Sequence, residues 1–182
     1  MPSAGDLVAR MEQALRGDPR PGHQADPAWA SLVVTLVESN LRQWDLEDTT
    51  RDPAASDAAV AGAKRAIDRL NLARHPIVQE IDTAIDAGLD QPATAPLATE
   101  SPGMVLDRLS VLVIRRARTA AASSEDPAWA DRVPLLESGL TTLTLALDSY
   151  LDELRSGRRR FVPYEHLKLY RAAGSPVGDR KA

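Results

Sequence analysis

One predicted helix of this 182-residue chain changes from apolar to polar along a single face. Its stripe begins with Val33, Leu36 and Val37, and it continues with Asn40, Trp44, Glu47, Asp48 and Arg51. Steps of three and four residues keep these side chains on one side of a helix. A buried carboxylate or guanidinium group is costly unless it is paired. These residues therefore need partners or a function.

The third predicted helix supplies candidate partners. If it folds back against the second helix, Glu47 lies near Lys64, and Asn40 lies near Asn71 and Arg74. The same folding rule, applied across a longer linker, brings Arg115 or Arg116 of the fourth helix to the level of Arg74. The sequence thus predicts a cluster of amides and guanidinium groups inside the protein.

Two interpretations of this cluster remain open. Guanidinium groups at one level repel each other unless an anion or a carboxylate lies between them. In the functional interpretation, the cluster binds a phosphate or carboxylate, and Glu47 or Asp48 is the catalytic acid or base. In the structural interpretation, Glu38 or Glu47 neutralises the arginines in an ordinary network between helices.

Other chemistry has weaker support, and we predict no metal site and identify no cofactor. The chain has no cysteine, and its histidines, His23, His75 and His166, lack the spacing of metal ligands. Two carboxylate pairs have the spacing of one helix face: Asp82/Asp86 and Asp148/Asp152. They could hold Mg²⁺, but we interpret them as solvated faces. No glycine-rich phosphate loop is present.

The segment 158–171 combines basic and aromatic residues. Such a mixture could bind nucleic acid or an acidic ligand. We favour a structural role, in which Phe161, Tyr164, Leu167 and Tyr170 dock the segment onto the protein at helical or near-helical spacing. The net charge of −4 also makes nucleic acid an improbable main partner.

Composition and patterning indicate helices throughout. Aromatic residues are only 4% of the chain, so aliphatic residues must fill the core. The predicted fold is an all-α, up-down antiparallel bundle of four long helices plus a short N-terminal helix. We divide the chain into a short helix and loop (1–25), a bundle (26–171) with a Pro/Ala/Thr-rich linker at 88–103, and a disordered tail (172–182). No segment has the apolar length of a membrane span, and we predict a cytoplasmic protein.

Four ordered blocks, spread over residues 30–171, resemble the bacterial domain of unknown function 4254 family. The blocks are Asn40-x3-Trp44-x2-Glu47-Asp48-x2-Arg51, then Ile67-Asp68-x-Leu70-Asn71-x2-Arg74 with Val78-x2-Ile81-Asp82, then Thr99 to Gly103 with Asp107-Arg108-Leu109-Ser110, and finally Gly157-x-Arg159-x-Phe161-x2-Tyr164-x3-Lys168-Leu169-Tyr170. The resemblance adds Asp107, Arg108 and Lys168 to the predicted ligand-binding residues. It also implies a biosynthetic setting, because members are often encoded beside glycosyltransferase genes.

The chain departs from the family pattern at three places: Asp45, Pro76 and 115–118. Histidines are common in relatives at or near two of these positions. If those histidines are catalytic in relatives, that chemistry is lost or changed in this chain.

Two functional hypotheses follow. The first is a biosynthetic enzyme that binds an anionic small molecule through Asn40, Trp44, Arg51, Asn71 and Arg74, together with the three residues from the resemblance. The alternative is a non-catalytic helical adaptor, predicted to be a homodimer, that pairs with a biosynthetic enzyme.

Overall fold

The computed structural model describes residues 1–18 and 29–165, which form five α-helices. They are α1 (Ala4–Arg16), α2 (Trp29–Arg51), α3 (Asp57–Asp86), α4 (Pro102–Glu125) and α5 (Arg132–Arg155). A 3₁₀ turn at Pro127–Trp129 precedes α5. One isolated bridge, between Leu97 and Arg160, is the extent of β pairing in these residues. The predicted all-α class is confirmed.

Local sequence explains where the helices begin and end. The hydroxyls of Ser3, Ser56 and Ser101 each accept a hydrogen bond from a backbone N–H in the first turn of α1, α3 and α4. Pro102 follows its cap at the first helical position, where the missing N–H is not needed. Gly17 ends α1 in the left-handed conformation, with φ of 71°, which glycine adopts without steric cost.

Helices α2 to α5 alternate in direction, as predicted. Glu47 lies near Lys64 across α2 and α3, and Arg116 lies near Glu137 across α4 and α5. The central helix is α4, which contacts all four others. The short α1 packs between α2 and α5, where Leu7 and Met11 are fully buried in the common core.

The hydrophobic core is concentrated at one end of the bundle. We call this end the base, formed by residues 29–40, 74–86, 102–114 and 140–155 of α2 to α5. Fully buried residues such as Leu36, Ile81, Leu109 and Leu151 fill it. The other end, residues 41–73 and 115–139, is called the tip. Its buried side chains are those of Ala63 and Ile67, both on α3.

Two non-helical segments close the base. The backbone of Arg160 exchanges hydrogen bonds with Pro96 and Ala98 at 3.0 and 2.8 Å. Phe161 is buried, and Tyr164 packs against the core. The predicted docking of these two rings is therefore confirmed, but the helical spacing is wrong for 158–165, which has no helix. The remainder of that segment and the predicted tail lie outside the described residues.

α3 continues through Pro76 from Asp57 to Asp86. None of the helices in residues 1–18 and 29–165 combines the length and the apolar composition that a membrane span requires.

Candidate functional site

A polar network joins three helices at the boundary between base and tip. Asn40 of α2 donates hydrogen bonds from Nδ2 to Asp107 Oδ1 at 2.8 Å and to Ser110 Oγ at 2.7 Å, both on α4. Arg74 of α3 donates from Nη1 to Asn40 Oδ1 at 3.3 Å. Its Nε lies 3.6 Å from Asp107 Oδ2. We call these four residues the Asn40 network.

The network is buried on one side and open on the other. Asn40 and Ser110 are buried. The side chains of Arg74 and Asp107 keep 23% and 24% of their surface exposed, so solvent and solutes reach the charged pair. The amide of Asn40 is the hub, because it both accepts from the guanidinium group and donates to the carboxylate. Such an arrangement fixes the orientation of both charges.

Local structure of α4 supports this geometry. The hydroxyl of Ser110 donates back to the carbonyl oxygen of Asp107 at 2.7 Å, one turn earlier in the same helix. This bond leaves the Ser110 oxygen aimed at the amide of Asn40. Ser110 was not among the predicted site residues, although it lies in the same sequence block as Asp107 and three residues after it.

The predicted arginine from α4 is wrong. Arg116 lies 2.9 Å from Glu12 of α1 and 3.8 Å from Glu137 of α5, and Arg115 is exposed. Nine residues separate Asp107 from Arg116, which places them about 180° apart on a helix with 3.6 residues per turn. Because Asp107 faces α3, Arg116 must face the opposite side. The α4 residue beside Arg74 is therefore a carboxylate.

A second polar group lies about 10 Å farther along α2, given seven residues at 1.5 Å each. Glu47 Oε2 is 3.3 Å from Arg51 and 3.8 Å from Lys64, so the predicted proximity of Glu47 to Lys64 is confirmed. Asp48 is exposed and lies 3.9 Å from Arg51. The two predicted catalytic carboxylates are thus near each other but separate from the Asn40 network.

The other predicted ligand-binding residues are dispersed. Trp44 is half-buried on α2 between the two polar groups and packs against the core. Asn71 is half-buried one turn before Arg74 and forms none of the hydrogen bonds of the network. Arg108 is exposed and pairs with Glu100 at 3.1 Å. Lys168 lies outside the described residues.

Asp82 is a further polar residue whose environment the sequence interpretation predicted wrongly. It was assigned to a solvated face, yet it is fully buried. Its carboxylate accepts the backbone N–H groups of Gly103 at 2.6 Å and Tyr164 at 2.9 Å, and the hydroxyl of Ser101. Burial raises the pKa of Asp82, and these hydrogen bonds partly offset the rise. The adjacent apolar residues, Ile81 and Ile85, were the available sign that this face is buried.

Gly103 is required for this arrangement. A Cβ atom at this position would lie 2.7 Å from the carbonyl oxygen of Val78 and 2.8 Å from Asp82 Oδ1. The absence of a side chain lets the start of α4 approach α3 closely enough for its N–H to reach the carboxylate. The positive end of the α4 dipole also favours an anion there.

His75 and Tyr164 form a further contact between α3 and the C-terminal segment. The Tyr164 hydroxyl is 2.7 Å from His75 Nδ1, and the two rings stack with centroids 5.7 Å apart. His75 follows Arg74 directly in the sequence, so the chain after α5 reaches the neighbourhood of the Asn40 network.

In the described parts of the chain, no three His, Asp or Glu residues are placed to hold a metal ion.

The fold and the site define an all-α bundle with an amide-centred polar network between three helices. Residues 30–162 match the model of the family described as Protein of unknown function (DUF4254), and the chain belongs to that family. The matched range includes every residue of the Asn40 network. Comparison with curated proteins and with solved structures gave no match.

Proposed function

We propose that this protein binds an anionic small molecule at the Asn40 network and acts as an enzyme of a biosynthetic pathway. The observation that supports the proposal is the incomplete pairing of Arg74. A guanidinium group has five N–H donors. Among the described residues, Arg74 donates one hydrogen bond, to Asn40, and forms one ion pair, with Asp107. The remaining donors are available to a phosphate or carboxylate.

In this proposal Asp107 positions the guanidinium group and limits its repulsion of other cations. Its Oδ1 atom accepts a hydrogen bond from Asn40, whereas Oδ2 is 3.6 Å from Arg74 and accepts no hydrogen bond from a described residue. A hydroxyl group of the ligand, next to the anion that Arg74 binds, fits that role. The chemical class is then a phosphorylated or carboxylated metabolite that also carries hydroxyl groups.

Acid-base chemistry is assigned to Glu47 or Asp48, with Asp107 as a third carboxylate next to the bound anion. A ligand that contacts both Arg74 and Glu47 must extend about 10 Å along α2. A sugar nucleotide has that reach, and Trp44 offers an aromatic ring between the two polar groups. The biosynthetic setting implied by the family resemblance is consistent with this class of ligand.

A thermal-shift experiment with three kinds of probe tests the proposal. The probes are inorganic phosphate, nucleoside diphosphates and nucleoside diphosphate sugars. A ligand at 100 times its dissociation constant stabilises the folded state by about 2.7 kcal/mol, which for a protein of this size raises Tm by roughly 5–11 °C. We expect the largest shift from the sugar nucleotides.

Matched variants on α3 identify the site. Arg74→Gln should remove the shift, because it deletes the cation while keeping a long polar side chain. Arg65→Gln is the control, since Arg65 is exposed on the same helix and away from the network. An equal shift in both variants would place the ligand elsewhere, and no shift with any probe would contradict the proposed ligand class.

A non-catalytic adaptor for a biosynthetic enzyme is the second candidate. It is favoured by one observation, the exposure of Leu135 and Leu145 on α5, at 73% and 65%. An adaptor should show no thermal shift with any of the three kinds of probe, and it should co-purify with an enzyme. Replacing both leucines by lysine should then release that enzyme.

A further inference from the structure

An open groove runs between α2 and α3 in the tip. Its volume is about 550 Å³, and its lining is mostly apolar. Leu46, Ala66, Leu70 and Ala73 form the floor. Small residues on α3 allow another helix to approach closely, and an apolar groove between antiparallel helices is a common binding site for the apolar face of a helix.

The edges of this groove carry positive charge that the described residues leave uncompensated. Arg42 and Arg69 flank the floor, and both are exposed. Neither forms an ion pair or a side-chain hydrogen bond with another described residue. The acidic residue of the lining, Asp45, is bonded to Arg118 of α4 instead. An occupant with carboxylates beside an apolar face therefore matches the groove.

The outer face of α5 has that composition. Leu135 and Leu145 have the highest exposure of all large apolar side chains in the described residues. Asp131 is one turn before Leu135 and on the same side of the helix, and it is exposed. Helix α5 packs against α4 and α1, so none of the helices in residues 1–18 and 29–165 packs against this face.

We propose that the outer face of α5 in one copy of the protein docks into the α2–α3 groove of a second copy. Leu135 and Leu145 would occupy the apolar floor, and Asp131 would pair with Arg42 or Arg69. A second copy is favoured over a different protein because the chain itself carries both complementary surfaces. The contact joins unlike surfaces, so repeated docking forms a ring if the rotation between copies closes and an open chain if it does not.

Light scattering and sedimentation of the full chain, over a range of protein and salt concentrations, test this proposal. We expect self-association that weakens as salt rises, because exposed charge pairs are screened. Arg42→Glu/Arg69→Glu should weaken association at least tenfold, and so should Leu135→Lys/Leu145→Lys. Arg65→Glu is the control on α3 outside the groove, and circular dichroism confirms that each variant is folded.

Mixing the two double variants gives the sharpest result. One variant keeps an intact α5 face and the other keeps an intact groove, so together they should form one working contact and associate. If mixing restores association, the result supports docking of the intact α5 face of one variant into the intact groove of the other. A wild type that stays monomeric at every concentration would overturn the proposal. Association that neither double variant weakens, or that mixing fails to restore, would also overturn it.

Discussion

In the base of the bundle, α2 to α5 each contribute fully buried apolar side chains, whereas the tip has few buried side chains and carries exposed ion pairs between its helices. The base contains Leu36, Ile81 and Leu151 in one core, closed by Phe161. In the tip, Glu47 contacts Lys64, and Asp45 contacts Arg118, on or near the surface. Exposed ion pairs of this kind contribute little stability.

Most of the buried apolar side chains that stabilise the fold lie in the base. Substitutions of polar or exposed residues in the tip should therefore leave the protein folded. The Asn40 network lies at the boundary, with Asn40 buried and Arg74 partly exposed. A binding site at this level has a rigid support below it and access to solvent above it.

The largest expected effect is at Asp82, the fully buried carboxylate of the base. Replacing Asp82 with Ala leaves the N–H groups of Gly103 and Tyr164 and the hydroxyl of Ser101 without their acceptor. Each unsatisfied buried donor costs about 1–3 kcal/mol, and loss of the charge itself offsets part of the total, so we expect a loss of about 4 kcal/mol. Urea unfolding measures it.

Asp86→Ala is the control for this loss. Asp86 lies one turn later on α3 and is half-buried, and its partner is the side chain of Gln91. We expect a change below about 1 kcal/mol. Equal losses of unfolding free energy in Asp82→Ala and Asp86→Ala would contradict a specific stabilising role for the buried Asp82 carboxylate.

Two leucines of α5 give the next largest contrast. Leu147 is buried in the base, and Leu145 is 65% exposed two residues earlier. Leu147→Ala should cost about 3 kcal/mol, because it leaves a cavity in a packed core. At protein concentrations low enough to keep the chain monomeric, Leu145→Ala should change the unfolding free energy by less than about 0.5 kcal/mol. A larger effect that grows with protein concentration is what docking of the α5 face into a second copy would add.

A glycine in the base and a glycine in the tip differ in the space around their Cβ positions. Gly103→Ala should cost about 2 kcal/mol, because its methyl group would overlap the backbone of Val78 and the carboxylate of Asp82. Gly62 of α3 has open space around its Cβ position. Gly62→Ala should therefore stabilise the tip by about 0.5–1 kcal/mol. Thermal unfolding of both variants checks the opposite signs.

The smallest effect is a pH dependence. Because burial raises the pKa of Asp82 in the folded state, that state binds a proton more tightly than the unfolded state does. The stability that this provides is fully present below the ordinary pKa of 3.8, and it is lost as pH rises through the folded-state pKa.

Asp82→Asn removes that titration while other carboxylates stay the same in both proteins. The stability of the wild type minus that of Asp82→Asn should therefore fall as pH rises from strongly acidic to neutral. Unfolding curves at several pH values measure the difference. A difference that is constant, or that grows with pH, would contradict the raised pKa.

The helices were predictable because their determinants are local. Ser56, Ser101-Pro102 and Gly17 mark helix ends through bonds within a few residues. The proximity of Asn40 to Arg74 was predictable for a similar reason, since a short turn fixes the register of α2 and α3.

The rest of the site depends on contacts between distant residues. Asp82 is satisfied by Gly103, 21 residues later, and by Tyr164, 82 residues later, and periodicity cannot reveal such partners. Arg116 was misplaced because the rotation of α4 about its axis is not set by a short turn. Once Asp107 faces α3, that rotation is fixed and Arg116 faces α1.

The most direct test of the account is a calorimetric titration of a nucleoside diphosphate sugar into the wild type and into Arg74→Gln. We expect binding to the wild type that weakens by at least about tenfold in the variant, because a charge-assisted hydrogen bond contributes about 1.5–3 kcal/mol and a tenfold change is 1.4 kcal/mol. The Arg65→Gln control should bind like the wild type. Equal affinity in the wild type and Arg74→Gln, with both proteins folded, would contradict the claim that the Asn40 network is the binding site.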